Sequence, residues 1–180
     1  MGKFILPLPT ASGTLSNGDK NGSKNQFRAM HFIGEYEVKV DDKGRVMVPV
    51  ALRKQLPPDM QDRFVLHRGF ENCVAMSPYA VFMKEAERIA KMNDKKKSVR
   101  EYQRFFVDGA VEITLDSNGR MLIPKHLKEW AGLGREIVIA TRLKKIEIWS
   151  KEKKQTPTAE DGDKFSDMAE DLFGDEDEDN

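Results

Sequence analysis

Two stretches of this chain combine residue types that can do chemistry. Asp41-Asp42-Lys43-Gly44-Arg45-Val46-Met47-Val48-Pro49 returns 75 positions later as Asp116-Ser117-Asn118-Gly119-Arg120-Met121-Leu122-Ile123-Pro124. Asp, Gly, Arg and Pro keep their spacing, and the residues between Arg and Pro are apolar in both copies. An Asp at the first position of a turn accepts a hydrogen bond from a backbone N–H two residues on. A Gly three residues later takes the positive-φ position of a type I turn with a bulge. The Pro opens a short helix, where its missing N–H costs nothing. Asp41, Gly44 and Pro49, with Asp116, Gly119 and Pro124, are therefore the structural residues of two turns. Geometry does not demand the arginine. Its planar guanidinium pairs bidentately with guanine O6 and N7. Retention of Arg45 and Arg120 points to two basic tips, raised out of a small sheet, that read DNA. One copy by itself would read as a hairpin and nothing more.

Other chemistries find no support. The phosphate-cradling, dinucleotide-binding and nucleophile-elbow glycine motifs do not occur. His31, His67 and His126 lie far apart and share no ligand spacing with one another or with Cys73. The expectation is no catalytic residue, no metal, no cofactor and no enzyme activity. The single cysteine forbids an internal disulfide, suits a reducing cytoplasm, and reads as a core residue in an apolar strand.

The elements that position the turns also come twice. Residues 34–40 align with 109–115, Leu52-Arg53-Lys54 with Leu127-Lys128-Glu129, Phe64-Val65-Leu66-His67 with Ile137-Val138-Ile139-Ala140, and Cys73 with Ile146. One unit reads as strand, turn, strand, short helix, strand, hairpin, strand. Two copies are too few for a solenoid, so the halves are expected to complete one shared core. Glu35, Glu37 and Lys39 alternate with Tyr36, Val38 and Val40, the period of a half-buried strand. Val50, Leu52 and Leu56 form the expected apolar set of the first short helix; Trp130, Ile137, Ile139, Ile146 and Ile148 are expected inside, His126 outside. Between the units, Ser77-Pro78 reads as the cap and first residue of a helix. That helix carries Val81, Phe82, Ala86, Ile89 and Ala90 on one stripe and runs to about residue 91. A second begins near Ser98 with Val99, Tyr102, Phe105 and Phe106. Lys91, Lys95, Lys96, Lys97 and Arg100 form a basic cluster at their joint: a solvated junction, or a rim that meets phosphates.

With Met30-His31-Phe32-Ile33-Gly34-Glu35-Tyr36 at its start, two D-x-x-G-R turns and a helical insert between them, the chain closely resembles the MraZ family of bacterial transcription regulators over residues 30–152. The resemblance implies a mainly β fold with α: two tandem AbrB-like units forming a split, swapped-hairpin β-barrel with a two-helix insert. It implies a ring-shaped homo-oligomer, typically octameric. The implied partner is double-stranded DNA carrying short G-rich direct repeats upstream of the division and cell-wall gene cluster, bound usually as a repressor. Carried over by position, the DNA-facing residues are Lys43 and Arg45 in the first turn and Arg120 in the second, with Asn118 standing where the first turn has Lys43. The chain thus divides into units over 30–77 and 108–152 with an insert over 78–107, flanked by an extension over 1–29 and an acidic tail over 153–180 that fall outside the family's usual pattern. The implied location is cytoplasmic and nucleoid-associated.

Composition fits a nucleic-acid partner once the chain is divided. Overall 30 Lys+Arg balance 30 Asp+Glu, yet residues 31–154 hold 25 basic and 18 acidic side chains while 155–180 hold 11 acidic and one basic. A basic body suits phosphates. No apolar run reaches the roughly 20 residues of a membrane helix, and the two-proline start is not a secretory signal. The extension, rich in Gly, Ser, Asn and Lys, and the tail, with five consecutive acidic residues over 175–179, are expected to be disordered. Within the tail, Phe165, Met168, Leu172 and Phe173 fall at helical intervals and are the one candidate for a partner-docking helix. Rival readings are an oligomeric scaffold that does not bind DNA, an antitoxin-like interaction protein, and an enzyme on a small barrel.

Overall fold

The computed structural model describes residues 31–173 apart from Lys144. The expected extension over 1–29, Met30 and the acidic run 175–179 lie outside the described residues. The strands are β1 (Glu35–Lys39), β2 (Arg45–Met47), β3 (Arg63–Arg68), β4 (Val74–Pro78), β5 (Val111–Thr114), β6 (Arg120–Leu122), β7 (Glu136–Arg142) and β8 (Lys145–Ser150). The helices are α1 (Val50–Arg53), α2 (Tyr79–Ala90), α3 (Lys97–Val107), α4 (Lys125–Ala131) and α5 (Gly162–Phe173).

The strands form a six-stranded antiparallel sheet in the order β1-β7-β8-β4-β3-β5 and a separate two-stranded ribbon, β2-β6. The first strand of each unit pairs with the third strand of the other: β1 with β7 and β5 with β3. Exchanging the two units maps β1-β7 onto β5-β3 and β3-β4 onto β7-β8, and maps β2-β6 and β4-β8 each onto itself. The two-fold relation passes through the pair Val46↔Met121 in the ribbon and Ala75↔Glu147 in the large sheet. The strands do not close into a barrel. At each D-x-x-G-R bend the chain swings away from its sheet, so β2 meets the end of β1 only through the bridge Val40↔Val46 and then pairs with β6.

That two-fold corrects the alignment of the last strand. Cys73 does not match Ile146 and is not in a strand; it ends the short 3-10 turn Phe70–Asn72. Val74 matches Ile146 and Met76 matches Ile148, with the same burial alternation along both strands. A period-two pattern tolerates a shift of two residues but not of one, and the longer first hairpin loop supplies the odd residue. Cys73 is buried all the same, its Sγ–H donating to Phe70 O at 3.1 Å. Burial pushes its thiol up to about 12, so it is no nucleophile at neutral pH. Its sulfur lies over Gly69, where a Cβ would stand 2.3 Å from it.

One face of the large sheet buries Phe64, Leu66, Val74, Met76, Ile137, Ile139, Ile146 and Ile148, and α4 packs against β3 and β4. Trp130 of α4, expected inside, is only half-buried; its Nε1–H donates to Cys73 O at 3.2 Å. Val50 of α1, expected to pack, is exposed, while Leu52 and Leu56 are buried.

Strand β3 is buried on both faces because the insert covers the second one. Val65 packs with Phe82, Ile89 and Phe106. Ser77 is not the helix cap: it pairs with Val65, and Pro78, paired with Phe64 at the end of β4, takes the N-cap position one residue ahead of Tyr79. His67 packs against both Phe82 and Phe106, with ring centroids at 5.3 and 5.0 Å. Its Nδ1–H donates to Arg68 O at 3.0 Å, and Ser77 Oγ lies 3.5 Å from Nε2. This neutral ring is pushed down to about 4 by burial. As pH falls, the unfolded chain takes the proton first, so stability present above the ordinary value of 6.5 is lost progressively down to about 4. That shift corresponds to a loss on the order of 3 kcal/mol. Urea unfolding at pH 7.5 and 4.5 is expected to show it, and His67→Leu to flatten it; an equal loss in the variant would rule His67 out as the cause.

After β8, Lys151 Nζ meets Glu37 at 2.7 Å and Lys154 Nζ meets Glu35 at 2.6 Å, tying the chain to β1. In place of an irregular tail, Thr158 then opens a helical segment. Its N–H and its hydroxyl both donate to Asp161 Oδ2, at 2.8 and 3.0 Å. Helix α5 follows, with Phe165, Met168, Leu172 and Phe173 all exposed. No described helix is long and apolar enough to cross a membrane.

Candidate nucleic-acid interface

The two turns are built alike, from local interactions. Asp41 Oδ1 accepts the N–H of Lys43 at 2.9 Å and of Arg45 at 2.8 Å. Asp116 Oδ1 accepts the N–H of Asn118 and of Arg120, both at 2.9 Å. Gly44 and Gly119 stand at φ +79° and +75°, which their lack of Cβ permits. Pro49 and Pro124 precede the first turns of α1 and α4, each accepting helical N–H bonds through its carbonyl.

The arginines are not lifted clear of the bends as the sequence suggested. Arg45 Nε and Nη2 both lie 2.8 Å from Asp41 Oδ2, and Arg120 Nε lies 2.8 Å from Asp116 Oδ2. With Oδ1 occupied by backbone N–H groups, Oδ2 faces the side chain four residues on and captures it. The backbone N–H of Arg45, then its guanidinium, holds the Asp41 carboxyl below its ordinary value. The backbone N–H of Arg120, then its side chain, does the same for Asp116. These pairs are not interior: the Arg45 and Arg120 side chains remain 31% and 29% exposed. The aspartate takes the Nε side of each guanidinium. Nη1 of both arginines has no partner among the described residues, so an end-on fork remains for a ligand. The outermost side chains at the bends are Asp42 and Lys43, and Ser117 and Asn118, all exposed.

The ribbon determines where the tips sit relative to each other. Arg45 pairs with Leu122 and Met47 with Arg120. Both arginines, with exposed Met47 and Leu122, therefore share the outer face, while Val46 and Met121 are buried beneath. Because β2 and β6 are antiparallel, the two turns lie at opposite ends of this face.

Each turn also meets the other unit, which sequence reading missed. Val48 N–H donates to Gly119 O at 3.0 Å, and Ile123 N–H to Gly44 O at 3.3 Å. This crossing places Arg53 of α1 against the second turn and Lys128 of α4 against the first. The signal was present in the repeat: positions 53 and 128 match, and both are basic. An open cleft of about 650 Å³ lies between the first turn and α4, with Leu122 and Leu133 in its walls and Lys43, Lys125 and Lys128 among its lining residues. The basic cluster of the insert is partly absorbed by structure. Arg100 Nη1 donates to the carbonyls of Asp94 and Lys95 at 2.7 and 2.9 Å, and Lys97 pairs with Glu101 at 3.6 Å. His126 is exposed, its Nε2–H donating to Gly109 O at 2.8 Å. Among the described residues no group of three or more His, Cys, Asp or Glu is placed to hold a metal ion.

A family model described as "MraZ protein, putative antitoxin-like" matches residues 31–105 and again 106–175. The transcriptional regulator MraZ of Christiangramia forsetii is 42% identical over 149 residues, covering 82% of this chain and 96% of its own length. That of Leuconostoc citreum is 36% identical over 141 residues, 78% of this chain and 96% of its own. That of Cytophaga hutchinsonii is 37% identical over 139 residues, 77% and 92% respectively.

Proposed function

The chain belongs to the MraZ family, and from that premise we propose that it is a sequence-specific DNA-binding transcriptional regulator and not an enzyme. Its relatives carry the name transcriptional regulator. The observation that carries the reading is the outer face of the ribbon, where Arg45 and Arg120 are each steadied from the Nε side by an aspartate with the Nη1 edge unengaged. A guanidinium held in this way has little freedom left to lose when it meets O6 and N7 of a guanine.

The ligand in this reading is double-stranded DNA with short G-rich direct repeats, and the action is repression of the division and cell-wall gene cluster from a cytoplasmic, nucleoid-associated position. Arg45 and Arg120 read bases; Lys43 and Asn118 at the bend tips supply further contacts. The swapped-hairpin, AbrB-like classification is supported by the crossed pairings β1-β7 and β5-β3. Assembly into a ring, octameric by family resemblance, would present many copies to repeated boxes and raise affinity through effective concentration.

Fluorescence anisotropy with a duplex of repeated G-rich boxes and a shuffled duplex, across a salt series, tests this. Tighter binding to the repeats at moderate salt is expected. Equal binding to both duplexes at every salt concentration would favour the scaffold reading instead.

A further inference from the structure

We propose that Arg53 and Lys128 are phosphate-binding residues, each completing the turn of the opposite unit so that every DNA contact site is built from both halves of the chain. This rests on the DNA-binding reading above and adds a second kind of contact to it.

The geometry follows from the ribbon. Each short helix begins where its strand has just run alongside the other unit's turn, as the Val48-to-Gly119 and Ile123-to-Gly44 hydrogen bonds record. A Cβ at Gly119 would stand 2.9 Å from Arg53 Nη2 and 3.1 Å from its Cζ. A Cβ at Gly44 would stand 3.9 Å from Lys128 Nζ. The first turn thus holds its own Arg45 and a borrowed Lys128; the second holds Arg120 and a borrowed Arg53.

Neither borrowed cation has a proper anion in the free protein. The Arg53 side chain is only 22% exposed, yet its nearest carboxylate, on Asp62, is 3.9 Å away, beyond hydrogen-bonding distance. Arg53 Nε is buried and, among the described residues, is the side-chain nitrogen or oxygen atom left without a hydrogen-bond partner. Lys128 Nζ has neither hydrogen bond nor ion pair among the described residues. Arg45 and Arg120, by contrast, are neutralised by their own aspartates. A half-buried, under-compensated guanidinium is unfavourable unless an anion reaches it. The anion that arrives beside a base-reading arginine is the DNA backbone phosphate, which Arg and Lys both suit. From the level of Gly44 to that of Gly119 is about four residues of strand, or about 13 Å. That spans roughly four base-pair rises of a duplex, so the two sites bracket a short box.

The test is the salt dependence of binding by the full-length variants Arg53→Gln and Lys128→Gln, using fluorescein-labelled duplexes of G-rich repeats and of shuffled sequence. Loss of one phosphate contact is expected to make the negative slope of log K against log salt shallower by about 0.9 per chain engaged. Both duplexes should weaken by the same factor, leaving their ratio unchanged. Arg53→Lys, which keeps the charge, should keep the slope; with Lys128→Gln it carries the test if Arg53→Gln fails to fold. Wild-type slopes in folded Lys128→Gln and Arg53→Gln would overturn the proposal, as would a change in the ratio alone. A wild-type chain preferring neither duplex would overturn the sequence-specific reading but still report these slopes on shuffled DNA.

Discussion

Replacing Arg45 by alanine is expected to abolish preferential binding to repeated G-rich boxes while leaving the protein folded and its assembly unchanged. One bidentate arginine–guanine contact discriminates by about 1–3 kcal/mol, between roughly five-fold and more than a hundred-fold in affinity. When several chains engage one duplex the factor is raised for each, so a moderate loss per contact becomes loss of detectable specific complex. The fold is expected to survive because the side chain is partly exposed and Val46, directly beneath it, still fills the ribbon core. The Asp41 hydrogen bonds that shape the turn go to backbone N–H groups, which alanine retains. Arg120→Ala should act in the same sense. Its magnitude relative to Arg45→Ala measures how evenly the two turns share recognition, given Lys43 at one tip and Asn118 at the other. Gel-shift titration with repeats of varied number, alongside circular dichroism and size-exclusion chromatography, gives the result. Unchanged specific affinity in both variants would remove the arginines from the interface.

Separating the two units should abolish folding of each at low concentration. Among the described residues the β-ladder internal to the first unit is β3-β4, and that internal to the second is β7-β8. The β1-β7, β5-β3, β4-β8 and β2-β6 ladders all cross between units. A fragment ending near Val107 would keep one hairpin, the short α1 and the two insert helices, and an isolated hairpin is marginally stable at best in water. Residues such as Ile139 and Val46, fully buried in the intact chain, would lose one wall of their surroundings, at about 2–5 kcal/mol for each large aliphatic side chain exposed. Fragments 31–107 and 108–154 are therefore expected to be unfolded apart at micromolar concentration and to regain strand signal together on mixing, followed by circular dichroism. A fragment that is folded and monomeric by itself would contradict the crossed topology. Pairing of a fragment with its own copy, which the internal two-fold permits, would appear as concentration-dependent folding.

The turns were legible because everything that makes them acts within five residues. Asp41 reaches the N–H groups of positions 43 and 45, and Gly44 supplies the positive φ. The alternation of β1 and the stripe of Phe82 and Ile89 were legible for the same reason, since burial leaves its period on the chain. The fourth strand was misaligned by one residue because the hairpin before it is longer in the first copy, and loop length is not written in the pattern of the strands it joins. Ser77 looked like a helix cap because that preference is local, while its place in a strand depends on Val65, a residue of the neighbouring strand.

Sequence by itself determined the duplicated unit, its two bends, the basic body and the retention of an arginine after each bend. Tertiary structure alone decided which strands pair, how the arginines are held, and that Arg53 and Lys128 stand beside the turns of opposite units. The reason is physical: an alternating strand presents the same faces and the same hydrogen-bonding edge to any partner. The choice among partners is made only when two complete units compete for one core, and the trans contacts at the bends exist only after that choice has been made.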